Sequence, residues 1–131
     1  MEMELKPLDK SSVDCLTQNI YFEARNQPVE GQFAVAEVVI NRTKDPDFPN
    51  SICNVIKQKT KNNCQFSWYC DGKKDVMVEK EAIALATYVA ISVLEHPTNI
   101  TKGAKYYHAD YVSPNWGKEK TVTIGDHVFY T

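Results

Sequence analysis

The chain has 131 residues, of which 43% are hydrophobic, 24% charged and 11% aromatic. This length predicts a single domain over residues 1–131, because either half alone would be too small to bury a useful core. Its 15 Lys and Arg against 17 Asp and Glu give a formal net charge of -2. We therefore expect no nucleic-acid partner, since phosphate binding usually needs an excess of positive charge.

The sequence contains no segment that is typical of a membrane span or a secretory leader. No apolar run approaches the roughly 20 residues that cross a bilayer. The first residues, Met1 to Glu4, are acidic and lack the apolar stretch of a signal peptide. We expect no membrane insertion and synthesis in the cytoplasm without a signal peptide.

Helical periodicity dominates the first two-thirds of the chain. The predicted helices run from Asp9 or Ser11 to about Arg25, from Glu30 to Arg42, over a short segment capped by Ser51, and from about Glu79 to Glu95. The second is apolar nearly all round, which is typical of a central core helix. Proline following His96 ends the last helix.

The final third has the pattern of β-structure. Lys105–His108 and Tyr111–Val112 look extended, and Thr121–Ile124 is separated from His127–Tyr130 by Gly125-Asp126, a hairpin signal. Helices followed by a small antiparallel sheet near the C-terminus predict the α+β class.

The four cysteines leave two interpretations open. A Cys64–Cys70 bridge would close a small loop, with Cys53 as a competing partner, while a chain without a signal peptide favours four reduced thiols, Cys15 included. An oxidising site of action favours the bridge. The cysteine spacing does not suit zinc, and we expect no metal.

Glu23 is the candidate general acid. It borders the apolar stripe of the first helix, three residues after Ile20, and lies at the C-terminal end of that helix, where the helix dipole disfavours a carboxylate. Both features raise the pKa of a carboxyl group, as a general acid near neutral pH requires. The alternative is an ion pair with nearby Arg25.

Glu37 is a rival because apolar residues surround it in the sequence. Glu30, Glu37, Asn41 and Lys44 fall on one face of the second helix, so we interpret Glu37 as part of a solvated stripe. We assign it a structural role.

His108 and His127 lie on extended segments that could be neighbours, which leaves a zinc amidase site as an alternative. The aromatic residues Trp68 and Trp116 lie in polar, loop-rich surroundings. They would suit stacking on sugar rings or a small aromatic core.

Taken together, a set of short motifs resembles the SleB/CwlJ-type cell wall hydrolases. The motifs are Tyr21–Arg25, Gly31-Gln32 with Ala34–Ala36, Val38–Arg42, Phe48-Pro49, Ile52–Val55, Cys64–Trp68, Cys70–Gly72, Gly103-Ala104 with Tyr106–His108, Pro114 with Trp116, and Ile124-Gly125 with His127 and Phe129-Tyr130. They extend from about residue 13 to the end, in the family's order.

The resemblance implies a lysozyme-like fold and a peptidoglycan lytic transglycosylase that needs no cofactor. Glu23 corresponds to the family's catalytic acid and would cleave the β-1,4 bond between N-acetylmuramic acid and N-acetylglucosamine. Gln65, Ser67, Tyr107 and His108 correspond to cleft residues, assigned to substrate positioning. Trp68 and Trp116 are added as sugar-stacking candidates, or as packing residues.

The chain departs from the family pattern at Asn26-Gln27, where Gly-Glu is usual. Asparagine tolerates the left-handed conformation in which many helices end, so we expect Glu23 to keep its place. The missing acidic residue argues against a second catalytic carboxylate there.

Other activities remain open at this point. A hydrolytic muramidase would use Asp71 or Asp75 as a second carboxylate. A zinc-dependent N-acetylmuramoyl-L-alanine amidase would use His108 and His127. A non-catalytic module would bind peptidoglycan without cutting it.

The expected partner is the glycan strand of peptidoglycan, acted on by a monomer. The small size and the lack of a signal suggest a phage lysin that reaches the cell wall or periplasm of its bacterial host by holin-dependent release.

Overall fold

The computed structural model describes residues 8–61 and 63–131. The acidic segment Met1 to Glu4, on which the signal-peptide prediction depends, lies outside the described residues. None of the helices formed by the described ranges combines the length and apolar character needed to span a bilayer.

Within these ranges the chain forms helices first and a sheet afterwards. The elements are α1 (Lys10–Ala24), α2 (Val29–Thr43), α3 (Ile52–Ile56), a 3-10 turn (Ser67–Cys70), α4 (Lys80–Glu95), β1 (Tyr106–Ala109), β2 (Lys120–Ile124) and β3 (His127–Tyr130). The predicted α+β class is confirmed.

The helix ends follow from the capping residues that the sequence offers. Asp9 accepts a hydrogen bond from the Ser11 amide and caps α1, and Ser51 accepts one from the Asn54 amide and caps α3. Such side chains satisfy amide groups that have no partner inside the helix.

The three strands form one antiparallel sheet in the order β1-β3-β2. The predicted hairpin between β2 and β3 is confirmed, with Gly125 at a φ of 58° in its turn. Tyr111 and Val112 are not a strand, contrary to the prediction. The chain turns after β1, and the Val112 amide donates to the Ala109 carbonyl.

The main core lies among the four helices, and a smaller core joins α2 to the sheet. The main core contains Leu16 and Ile20 from α1, Val39 from α2 and Val89 from α4. The smaller one consists of Ala34, Val38, Ala104 and Phe129. Helix α2 therefore lies between the other helices and the sheet, as its apolar surface predicts.

Two disulfides join parts of the helical region. Cys15 bonds to Cys53 and ties α1 to α3, while Cys64 bonds to Cys70 and closes the loop that carries the 3-10 turn. Cys53 thus pairs with Cys15, and it does not replace either cysteine in the Cys64–Cys70 bridge.

Gln27 connects the α1–α2 loop to the hairpin turn. Its side-chain amide nitrogen donates to the Asp126 carboxylate at 3.2 Å, and its side-chain oxygen accepts from the Asp126 backbone amide at 2.9 Å.

The end of α1 has a right-handed backbone conformation at Arg25. Lys102 is the one non-glycine residue of the described ranges with a positive φ, so Asn26 does not adopt the left-handed conformation that asparagine tolerates.

Glu37 is buried, and the prediction of a solvated position is wrong. Only 2% of it is exposed. Its carboxylate accepts hydrogen bonds from the Thr98 hydroxyl, the Ile100 amide, and both the amide and the hydroxyl of Thr101. Four donors replace the water lost on burial, so this carboxylate holds the loop before β1 against α2.

We predict that Glu37→Gln lowers the free energy of unfolding by about 2 to 3 kcal/mol, because an NH₂ group would face donors that need an acceptor. Urea unfolding measures this change. Glu30→Gln, at an exposed position of the same helix, is the control and should change stability by less than about 0.5 kcal/mol. Equal stability of the two variants would contradict the role given to Glu37.

Candidate active site

Glu23 lies in the last turn of α1, where the helix meets the sheet. The side chain is partly buried, and the Tyr107 hydroxyl donates a hydrogen bond to its Oε1. No hydrogen bond from the described residues reaches Oε2. One carboxylate oxygen is therefore fixed by the protein, and the other is available for proton transfer.

Burial raises the pKa of the Glu23 carboxyl above its ordinary value. The Tyr107 hydrogen bond and the positive charge of Arg42 act in the opposite direction and favour the carboxylate. Desolvation is the largest of the three effects, so the carboxyl group holds its proton at a higher pH than an exposed glutamate. Such a group can act as a general acid.

Tyr107 is itself a stable hydrogen-bond donor. Its pKa is raised well above the usual value for a phenol by burial, by the Glu23 charge and by the hydrogen bond to Glu23. The phenol therefore stays protonated at neutral pH. Its ring packs on His127 and Phe129 with centroids 5.0 and 5.5 Å away, which fixes its direction.

The end of α2 positions β1, and with it Tyr107. The Asn41 side chain donates to the Ala104 carbonyl at 2.8 Å, and the Arg42 Nε donates to the Lys105 carbonyl at 2.7 Å. Both acceptors immediately precede β1. Because these bonds fix the start of the strand, they also fix the position of the Tyr107 hydroxyl relative to the Glu23 carboxyl group.

Arg42 is a residue of this site that was not among the candidates predicted from the sequence. Only 5% of it is exposed, and its guanidinium lies over the rings of Phe48, Phe66 and Tyr106 at 5.0, 5.3 and 5.6 Å. Its Nη1 is buried without a hydrogen-bond partner. Burial lowers the pKa of Arg42, while the nearby Tyr107, Tyr106 and Glu23 raise it.

The sequence signal that could have identified Arg42 is a cation in the last turn of the helix that was predicted to lie in the core. It places positive charge close enough to act on Glu23. Arg42 can therefore stabilise the carboxylate that remains after proton transfer.

Arg25, the alternative ion-pair partner proposed for Glu23, binds a different carboxylate. Arg25 Nε lies 2.6 Å from Glu79 Oε2, so this arginine forms its ion pair with the loop before α4. The structure thus replaces the predicted Glu23–Arg25 pair with a Glu23–Tyr107 contact.

The remaining residues predicted for the site lie in three different surroundings. Gln65 and Ser67 are exposed on the disulfide-closed loop. Trp68 is buried: its ring stacks on Phe22 with centroids 4.8 Å apart, and its Nε1 donates to Asn19 at 2.8 Å. Of the two interpretations of Trp68, packing is the one that this burial favours.

His108 and Trp116 lie on the far side of the sheet. His108 pairs with Val128 across β1 and β3, whereas Tyr107 pairs with Phe129. Since successive residues of a strand point to opposite faces, His108 faces away from Tyr107 and Glu23. Trp116 packs against His108 with centroids 5.3 Å apart and shares that outer face.

The same register separates the two histidines of the zinc alternative. His127 pairs with Ala109, so its side chain is on the face of Tyr107, opposite to His108. The prediction that their strands are neighbours is confirmed, but one ion cannot bind both rings in this arrangement. Burial lowers the pKa of His127, so it is neutral at neutral pH.

The candidate second carboxylates for a muramidase are both exposed. Asp71 accepts a hydrogen bond from the Lys73 amide within its own turn. Among the described residues, no hydrogen bond or ion pair connects Asp71 or Asp75 with Glu23, Tyr107 or Arg42.

The chain is similar to known proteins in both sequence and structure. The profile of the family described as Cell Wall Hydrolase matches residues 26–130. A spore cortex-lytic enzyme of Bacillus subtilis is 32% identical over 121 residues, which is 91% of this chain and 37% of that protein. One from Oceanobacillus iheyensis is 38% identical over 123 residues, 92% of this chain and 41% of the relative.

The chain thus spans about two-fifths of the length of these curated relatives. The profile match begins after Glu23, but an alignment over 91% of the chain necessarily includes this residue. The role of Glu23 as the candidate acid rests on its burial and on its contact with Tyr107.

Two solved structures have the same fold. The catalytic domain of the germination-specific lytic transglycosylase SleB from Bacillus anthracis superposes with a TM-score of 0.78 at 24% identity, covering 98% of this chain and all of that domain. The SleB catalytic domain of Bacillus cereus gives a TM-score of 0.72 at 22% identity, covering 97% and 94%. The predicted lysozyme-like architecture is confirmed.

We predict that Glu23→Gln is more stable than the parent chain at pH 7. The folded-state pKa of Glu23 is raised, so the folded chain binds this proton more tightly, and stability falls as the pH rises above 4.5 through the folded-state pKa. A glutamine avoids that loss and can still accept the Tyr107 hydrogen bond.

Urea unfolding of both proteins at pH 4 and pH 7 tests this prediction. The stability advantage of the variant should be larger at pH 7. Taking the difference between variant and parent removes the titration of His127, which is common to both. A variant that is less stable than the parent at pH 7 would contradict a desolvated Glu23.

Proposed function

The chain belongs to the cell wall hydrolase family, and from this membership we propose that it is an enzyme that cleaves the glycan strands of peptidoglycan. The single observation that carries the proposal is the partly buried Glu23 carboxyl held by Tyr107. The names of the relatives, which are spore cortex-lytic enzymes, support the same substrate class.

The proposed bond is the β-1,4 linkage between N-acetylmuramic acid and N-acetylglucosamine. Protonated Glu23 gives its proton to the glycosidic oxygen as the bond to C1 of the muramic residue breaks. The resulting Glu23 carboxylate then takes the proton of the muramic C6 hydroxyl while O6 bonds to C1. The products are a free 4-hydroxyl group and a 1,6-anhydro end, with no water consumed.

One carboxyl group suffices for this lytic transglycosylase sequence, because it acts first as acid and then as base. Two-carboxylate glycosidases need a second group about 5 to 9.5 Å away to act as nucleophile or to activate water. The unconnected, exposed positions of Asp71 and Asp75 support the single-carboxyl route.

Tyr107 and Arg42 are positioning residues in this proposal. The Tyr107 hydroxyl holds Oε1, so Oε2 carries the proton toward the sugar. The Arg42 charge favours the carboxylate formed between the two steps. Gln65 and Ser67, exposed on their loop, are proposed to position the substrate.

Digestion of purified sacculi tests the chemistry. We predict that the parent chain releases fragments with 1,6-anhydro ends, each lighter by one water than a hydrolysis product, as mass spectrometry detects. Glu23→Gln should be slower by at least about 100-fold, the contribution expected of general acid catalysis. Reducing ends would indicate a muramidase, and peptide release would indicate an amidase, each in conflict with the proposal.

A second prediction concerns Tyr107→Phe, which removes the hydrogen bond and keeps the ring. We expect activity to fall about 10- to 100-fold through loss of orientation. The pKa of Glu23 should also rise, because the lost bond favoured the carboxylate, and the high-pH limb of the activity profile should shift upward. Tyr88→Phe, on the exposed side of α4, is the control, and an unshifted limb in Tyr107→Phe contradicts the role of the phenol.

The setting of this activity is proposed separately. Both cysteine pairs are bonded, which is typical of proteins that work in an oxidising compartment. We infer action outside the cytoplasm, on a host wall reached through a holin. Lysis that occurs equally with and without a co-expressed holin would contradict that route of release.

A further inference from the structure

The outer face of the sheet has an aromatic cluster, here called the aromatic face, that the proposed chemistry does not use. It consists of Tyr106, His108, Trp116 and Tyr130. Tyr106 pairs directly with Tyr130 across β1 and β3. Because Tyr107 points to the opposite side of the same strand, His108 and Trp116 are separated from Glu23 by the sheet, whereas the Tyr106 ring also contacts Arg42.

Trp116 lies at the centre of this cluster. Its ring centroid is 5.3 Å from His108, 5.3 Å from Tyr130 and 6.3 Å from Tyr106. It follows a turn after β1 and is 39% exposed. No hydrogen bond from the described residues engages its Nε1, so the indole offers both an apolar surface and a donor to a ligand.

The polar groups of the aromatic face are already oriented. His108 stacks on Tyr130 with centroids 5.2 Å apart, and its Nε2 lies 2.8 Å from the Tyr130 hydroxyl. Its Nδ1 lies 2.7 Å from the Ala109 carbonyl. These contacts restrict the ring positions before any ligand arrives, which lowers the entropy cost of binding.

Two lysines border the same surface. The Lys118 ammonium lies 4.0 Å from the centroid of the Tyr106 ring, and Lys120 is paired with Tyr130 across β2 and β3. Both are exposed. An apolar surface flanked by positive charge and hydrogen-bonding groups is complementary to an aminosugar polymer that carries carboxylates.

The chemistry of peptidoglycan provides these three features. The C–H faces of its sugar rings are apolar, its hydroxyl and acetamido groups form hydrogen bonds, and its lactyl and stem-peptide groups supply carboxyl functions. Single-stranded nucleic acid would also stack on aromatic rings, but the net charge of -2 argues against it.

We propose that the aromatic face is a second glycan-binding surface, which holds N-acetylhexosamine residues of peptidoglycan while Glu23 acts at a separate position. This inference rests on the proposed function for the identity of the ligand. It gives the chain a means of staying on an insoluble substrate between cleavage events.

The first experiment measures binding of the Glu23→Gln chain to purified sacculi by co-sedimentation, so that cleavage does not complicate the result. Adding Trp116→Ala should weaken the apparent Kd about tenfold, and Trp116→Phe, which keeps a ring, should weaken it less. Tyr88→Ala removes another exposed aromatic ring, on α4, and serves as the matched control with unchanged binding. Equal binding by the Trp116→Ala and Tyr88→Ala proteins would overturn the proposal.

A second experiment uses the fact that the chain has just two tryptophans, of which Trp68 is buried. Iodide should quench Trp116 fluorescence selectively, and Trp116→Phe should abolish the quenched fraction. Saturating chitotetraose, a soluble N-acetylglucosamine tetramer, should protect at least about half of that fraction. Unchanged iodide quenching at saturation would place the sugar elsewhere and contradict the proposal.

Failure of this inference can be told from failure of the proposed function. If sacculi are digested but binding is independent of Trp116, the second surface is refuted and the chemistry stands. If Trp116-dependent binding occurs while neither parent nor Glu23→Gln changes the glycan, the surface is supported and the enzymatic proposal fails.

Discussion

The hydrogen bond from Tyr107 to Glu23 is the contact on which the site depends, because it joins the sheet to the first helix. The two groups are 84 residues apart in the chain. Asn41 and Arg42 bring them together by binding the carbonyls of the segment that leads into β1. The polar bonds at the end of α2 thus set the geometry of a carboxyl group on α1.

Two arrangements at the site lower the stability of the fold. A carboxyl group is partly desolvated, and a buried guanidinium keeps one nitrogen without a hydrogen bond. Each arrangement is unfavourable by itself. By contrast, the buried carboxylate of Glu37 accepts hydrogen bonds from four donors. At Glu23, by comparison, only one carboxylate oxygen has a hydrogen bond from the described residues, and the other is left for proton transfer.

Local patterns predicted the elements well, and tertiary contacts account for what they missed. The bounds of α1 and the β2–β3 hairpin follow from a capping aspartate and a Gly-Asp turn, both of which act within a few residues. Glu37 was misjudged because its donors come from a loop about 60 residues later, which no helical wheel contains. The same holds for Arg25, whose partner Glu79 is distant in sequence. Tyr107 and His108 were assigned together, whereas strand alternation separates them.

The folded chain keeps the Glu23 carboxyl protonated at a higher pH than a free glutamate side chain does. Carbon-13 NMR of the side-chain carboxyl groups measures this directly, with Glu23→Gln identifying the resonance. We expect a midpoint above the ordinary value of 4.5 in the parent chain. A midpoint at or below 4.5 would contradict a pKa raised by burial.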